Sequence, residues 1–167
     1  MNKKAIRTMV YIALYAAMII VLDFISNTIS LFKMPEGGRL SLATVGFLLA
    51  SYHLGWKKGA AVAVVAILLM GVTGSISYYG IVSLLLDYVL GYMAYGFASI
   101  FPWYTGIIIT NAFRLLCSTL AGVWVWGSGF EASLSYNATY MIPTAIVDFI
   151  IVPLVAAKLL PMIGKKK

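Results

Sequence analysis

Acidic residues, cysteine and histidine are all scarce in this chain. Of 167 residues, five are Asp or Glu, one is Cys and one is His. Cys117 lies inside an apolar run, so the chain by itself can build neither a disulfide framework nor a thiolate metal site. His53 stands near Lys57 and Lys58 with no second metal ligand close in sequence, the pattern of a structural histidine. There is no P-loop, no HExxH and no nucleophile elbow, and five acids leave little for acid–base catalysis. Neither an enzyme nor a protein with a bound metal or other cofactor is expected. Charge as a whole is also sparse, at 10% against 62% hydrophobic residues, which a soluble domain does not show. The chain therefore reads as an all-α integral membrane protein.

Six apolar segments fill the sequence: Ala5 to Leu31, Leu40 to Leu54, Gly59 to Thr73, Ile81 to Ile100, Trp103 to Trp126 and Leu134 to Ile163. A helix that crosses a bilayer needs about 20 apolar residues, so the second and third are short, consistent with little tilt or with burial among neighbours. The basic start and apolar middle of the N-terminus resemble a secretory signal. Its apolar part is too long for one and lacks a small-residue cleavage site, so a retained first span is expected. The connections are brief and rich in Gly, Pro and Ser, as in KMPEGG and GSGFEAS. Residues 1–167 thus read as a single six-helix domain.

The formal net charge of +7 comes from basic residues at the ends of apolar runs, not from cations interleaved with aromatics, so nucleic acid is not an expected partner. Lys3, Lys4 and Arg7, then Lys57 and Lys58, then Lys158 and Lys165 to Lys167 fall on one side of a six-span protein. The other side carries Lys33 and Arg39, partly offset by Glu36, and Glu131. Positive residues favour the cytoplasmic side, which places both termini there.

Polar residues at membrane depth cost on the order of 3 kcal/mol each and usually find a partner inside the protein. Arg114 lies about 18 Å along its helix from Trp126, and Asp148 about 21 Å from Leu134 on the returning helix. Their similar depth suits a structural ion pair, or a direct ligand contact from Arg114. Asp87, in LLLDYVLGY beside Tyr88, lies about 9 Å from the outer end of span four. It suits either a cationic or hydrogen-bond-donating ligand, or bonds to neighbouring hydroxyls or Arg114.

Ser118, Gly122 and Trp126 follow Arg114 in steps of four and so share one helix face. That face is either a small-residue packing seam or the wall of a pocket. Trp126 alone fits an interfacial belt. Taken with Ser118, Gly122 and an acid on a neighbouring span, it suits a flat heteroaromatic ligand that stacks and donates hydrogen bonds. Ala13 and Ala17 form a flat strip on span one where another helix can approach. The sequon at Asn137 lies inside the sixth span and is discounted as a glycosylation site.

ALYAA in span one, then MPEGGRLSL, the basic turn WKKG, LLLDYVLGY, STLAGVWVW and SLSYN together resemble the thiamine-type substrate-binding subunits, or S components, of energy-coupling factor transporters. The similarity runs over nearly the whole chain. It implies a compact S-component bundle in a bacterial cell membrane that binds a small vitamin near the outer leaflet. It also implies a partner module, made of a transmembrane coupling subunit and two ATPase subunits, and toppling in the membrane to release substrate inside. Ala13 and Ala17 match the motif that contacts the coupling subunit. Asp87 and Tyr88 match an acid–tyrosine pair at the ligand, Gly122 and Trp126 a glycine and a stacking tryptophan, and Asn137 a ligand-bonding asparagine.

The chain also departs from that pattern. Ser118 stands where the resemblance leads one to expect His, Ala132 where it leads one to expect Tyr, and Asp87 where Glu occurs in some members. Each lost ring removes stacking worth ~1–3 kcal/mol by analogy with nucleobases. Thiamine is thus joined as a candidate by a single-ring vitamin such as a pyridoxine form or hydroxymethylpyrimidine. The contrasting reading is a structural or assembly membrane protein with no vitamin ligand. A self-sufficient secondary transporter ordinarily shows internal repeats, and none is evident.

Overall fold

The computed structural model of the chain describes residues 2–29 and 33–162. Helices account for every regular element among them, in the order α1 (Lys3–Ile29), α2 (Ala43–Leu54), α3 (Trp56–Val72), α4 (Ile81–Ile100), α5 (Trp103–Trp126) and α6 (Phe130–Met162). These match the six expected segments. The expected outer limits Leu31 and Ile163, and residues 165–167, lie outside the described residues.

The short second segment is explained by burial. Residues 43–53 of α2 are all buried, so the helix is apolar on every side and presents no one-sided pattern. Its 12 residues span about 18 Å, against a hydrocarbon core of about 30 Å. The helix runs inside the protein, wrapped by α1, α3, α4 and α6, and lipid contact falls to its neighbours. Gly55, at φ 84°, makes the turn from α2 into α3 and closes α2 by donating its N–H to Ser51 O.

Helix α4 is composite. Ile81–Ser83 is α-helical, Leu84–Leu90 is a π-helical stretch, Gly91–Gly96 returns to α geometry and Ala98–Ile100 ends as a 3₁₀ turn. The wide stretch carries Asp87 and Tyr88, and such turns recur at functional sites. Helix α5 stops where Gly127 enters the left-handed region at φ 60°. Helix α6 begins at Phe130, one turn before the expected Leu134, with Glu131 in its first turn, where a carboxylate meets the positive end of the helix dipole.

Close backbone approach holds α3 against α4. A Cβ on Gly96 would lie 2.8 Å from Ala60 Cα, and one on Gly59 would lie 2.6 Å from Gly96 O. Small residues allow this contact where no hydrophobic force separates helix from lipid. Gly96→Val should force the pair apart and lower stability by about 1–3 kcal/mol. Thermal unfolding of the purified protein in detergent would read the loss, and an unchanged midpoint would refute the close contact.

Candidate functional site

Helices α4, α5 and α6 line a cavity of about 340 Å³, to which residues 36–39, Ser41, Ser77 and Tyr79 also contribute. Such a volume lies toward the small end of the usual range for small-molecule sites, about 300–1,000 Å³. Asp87, Tyr88, Ser118, Gly122, Trp126 and Asn137 all line it. The four-residue period of α5 puts Arg114, Ser118, Gly122 and Trp126 on one wall.

Each of these side chains is held by neighbours. Ser83 donates to Asp87 Oδ2 at 3.0 Å, and Ser118 also bonds the Asp87 carboxylate from α5. The serine found in place of an imidazole thus serves the acid across the cavity. Tyr88 OH accepts from Ser77 N at 2.9 Å, tying α4 to the segment before it. Asn137 donates through Nδ2 to Ser133 O at 2.9 Å and Ser118 O at 3.3 Å, while Tyr140 OH donates to its Oδ1. The amide donors are spent on the frame, leaving one Oδ1 lone pair. Gly122 is where α5 passes α6, since a Cβ there would run into Ser133 Oγ.

Trp126 is half exposed, and the Tyr79 ring meets it edge-on with centroids 4.9 Å apart. Trp124, two residues earlier and so on another face, is more exposed and does not line the cavity. Sequence alone does not separate the two indoles; their placement does. Residues 34–38 turn tightly, with Gly37 at φ 89° and Met34 N bonded to Gly38 O at 2.6 Å. Gly38 N reaches Tyr136 OH at 3.4 Å, and Arg39 Nη2 bonds Asp23 Oδ1 of α1 at 3.0 Å. The segment is thereby fastened to α1 and α6.

The expected ion pair between Arg114 and Asp148 is not formed. Arg114 Nη2 donates to Tyr92 OH at 3.0 Å, and its guanidinium carbon sits 4.3 Å from the Tyr92 ring centroid. Asp148, fully buried, accepts from Thr44 Oγ1 at 2.7 Å and Asn111 Nδ2 at 3.1 Å. Distance along a helix does not fix where a side chain points, and nearer neutral partners satisfy each group. Asp148 does not line the cavity; Arg114 does.

Several lining residues escaped the sequence reading, among them Tyr136, Tyr140 and Ser133 on α6 and Tyr79 and Tyr92 elsewhere. Stepping by three and four from Asn137 along α6 finds Ser133, Tyr140 and Met141. Ala132 lines the cavity, and Tyr136, one turn further on, lines it too. Aromatic surface missing at position 132 is therefore present at position 136. Ala13 and Ala17 lie far from this chemistry, exposed on the outer face of α1.

Comparison with known proteins bears on the family and the fold. A family model described as thiamine transporter protein (Thia_YuaJ) matches residues 9–163. The thiamine transporter ThiT of Bacillus subtilis (strain 168) is 26% identical over 175 residues, spanning 90% of this chain and 90% of that protein. A solved structure of ThiT from Listeria monocytogenes superposes with a TM-score of 0.78 over 96% of this chain and 98% of that one. Its 20% identity makes that a likeness of fold.

Tyr92→Phe tests how Arg114 is held, because it keeps the ring and removes the hydroxyl that accepts from the guanidinium. The stability loss should be about 1.5–3 kcal/mol, the range for a hydrogen bond to a charged group. Tyr78→Phe, at an exposed position, should change the unfolding midpoint little. Equal effects of the two substitutions would show that the Tyr92 hydroxyl does not hold Arg114.

Proposed function

The chain belongs to the thiamine transporter protein family, membrane transport proteins that do no chemistry on their cargo, and on that premise we propose that it is the vitamin-binding S component of an energy-coupling factor importer. Its cargo is thiamine or a smaller heteroaromatic vitamin, a pyridoxine form or hydroxymethylpyrimidine. Asp87, Tyr88, Ser118, Gly122, Trp126 and Asn137 form the ligand site. One observation carries the assignment: these six residues, chosen from the sequence, all line one cavity of about 340 Å³. A purely structural bundle has no use for such a void, since protein interiors pack densely and empty volume destabilises them.

The roles follow from chemistry. Trp126 offers an indole face for an aromatic ring, with Tyr79 against its edge. Asp87, held by Ser83 and Ser118, accepts from ring amino or N–H groups. Asn137 offers its remaining Oδ1 lone pair. ATP hydrolysis belongs to the partner module, whose coupling subunit docks on the Ala13 and Ala17 strip of α1. The protein resides in a bacterial cell membrane, surrounded by lipid, with both termini cytoplasmic; the distribution of basic residues supports that orientation.

Titration of the purified protein with thiamine, pyridoxine and hydroxymethylpyrimidine assigns the vitamin, and binding of none of them would defeat the proposal. Trp126→Ala and Asp87→Asn should each weaken binding at least about ten-fold, the loss of one stacking or charged contact. Unchanged affinity in both would remove the site assignment. Replacing Ala13 and Ala17 by Leu should abolish uptake in cells and co-purification with the ATPase subunits while leaving vitamin affinity unchanged. Retained uptake would place the coupling subunit elsewhere.

A further inference from the structure

Among the described residues, three buried side-chain atoms have no hydrogen-bond partner: Arg39 Nε, Ser41 Oγ and Arg114 Nε. All three residues line the cavity. Buried donors are normally satisfied, and leaving one bare costs about 1–3 kcal/mol. Three such covered atoms on residues of a single cavity point to a place where a bound ligand, with a small shift of the groups over them, supplies the acceptor. This inference rests on the vitamin-binding reading and specifies what its ligand must carry.

Ser41 and Arg114 are the fixed members of the set. Ser41 is 3% exposed and Arg114 8%. The backbone of Ser41 is anchored on both sides, its N–H donating to Thr144 Oγ1 at 3.1 Å and its carbonyl lying 2.8 Å from Thr44 Oγ1, whose single O–H it shares with Asp148. Only the hydroxyl is left to act. Arg114 is likewise held by Tyr92 through Nη2, while its Nε–H is buried without a partner. Arg39 lies two residues before Ser41 in the segment that lines the cavity ahead of α2.

The charge balance narrows the acceptor. Arg39 is already paired with Asp23, and Asp87 and Glu36 line the same cavity as Arg114. Two carboxylates around the ligand oppose a dianionic phosphate. We propose that Ser41 and Arg114, with Arg39 beside them, form a subsite for a neutral acceptor oxygen, the alcohol hydroxyl of the bound vitamin. The subsite sets preference among ring compounds by whether they carry that hydroxyl. Stacking on Trp126 and bonding to Asp87 recognise the ring itself.

Matched ligand pairs test this on the full-length purified protein: pyridoxine against 4-deoxypyridoxine, hydroxymethylpyrimidine against its methyl analogue, and thiamine against its dehydroxy analogue. The unsubstituted protein should prefer at least one alcohol by about ten-fold or more. Ser41→Ala, which keeps both backbone bonds, should erase most of that preference by weakening the alcohol alone. Arg114→Lys, which keeps the charge and drops Nε–H, should act in the same direction. Equal affinity for alcohol and deoxy partner, or equal weakening of both by Ser41→Ala, overturns the subsite and leaves the vitamin reading standing. Tighter binding of pyridoxal 5′-phosphate or thiamine monophosphate than of the matching alcohol overturns the neutral-oxygen assignment. No binding by any of the six compounds overturns the subsite and the vitamin reading together.

Discussion

A guanidinium buried in a helical membrane bundle needs hydrogen-bond partners inside the protein, because a buried charge left without them is costly. Arg114 finds them in tyrosine, bonding the hydroxyl of Tyr92 and lying over its ring, with the Tyr95 ring centroid 5.9 Å away. Tyr92 is held in turn by α2, whose Phe47 stacks on it at 5.1 Å between centroids. Tyr95 OH bonds Asn111, Asn111 bonds Asp148, and Asp148 bonds Thr44. One connected set of polar groups thus links α2, α4, α5 and α6. Its members are satisfied mainly by neutral donors and acceptors, whose hydrogen bonds offset part of the cost of burying Arg114 and Asp148.

This network has a consequence for the cavity. Because Asp148 is committed to Thr44 and Asn111, it does not neutralise Arg114 by direct contact, and Arg114, which lines the cavity, keeps an unpartnered Nε–H. Asp87 stands on the opposing helix, braced by two serines. The site therefore presents a fixed donor region and a fixed acceptor region in one small volume. A ligand with both kinds of group is recognised by position, and a purely apolar molecule leaves both unpaired.

Glycines decide where the bundle is tight and where it opens. Gly59 and Gly96 bring α3 and α4 into backbone contact, and Gly122 lets α5 lie against Ser133 of α6. Gly38 sits against the ring of Tyr140, where a side chain would not fit. Between these contacts the π-helical stretch of α4 redirects Asp87 and Tyr88. Rigid seams on either side of a gap are what a preformed small-molecule site requires.

Much of this was legible along the chain. Hydropathy gave the number and order of helices, because the bilayer imposes a length and composition on each span that no neighbour can supply. The spacing of Ser118, Gly122 and Trp126 put them on one wall, since helical periodicity is local. Residues 130–133 were read as a loop because their polar composition hides a helix start that the Gly127 turn sets. The π-helical stretch left no comparable mark, and the cavity face of α6 showed only as three- and four-residue steps from Asn137. What the sequence by itself determined was depth, because distance along a helix axis accumulates residue by residue. What only the tertiary structure decided was direction: Arg114 turned to Tyr92 and Asp148 to Thr44, because rotation of one helix about its axis relative to another is set by packing.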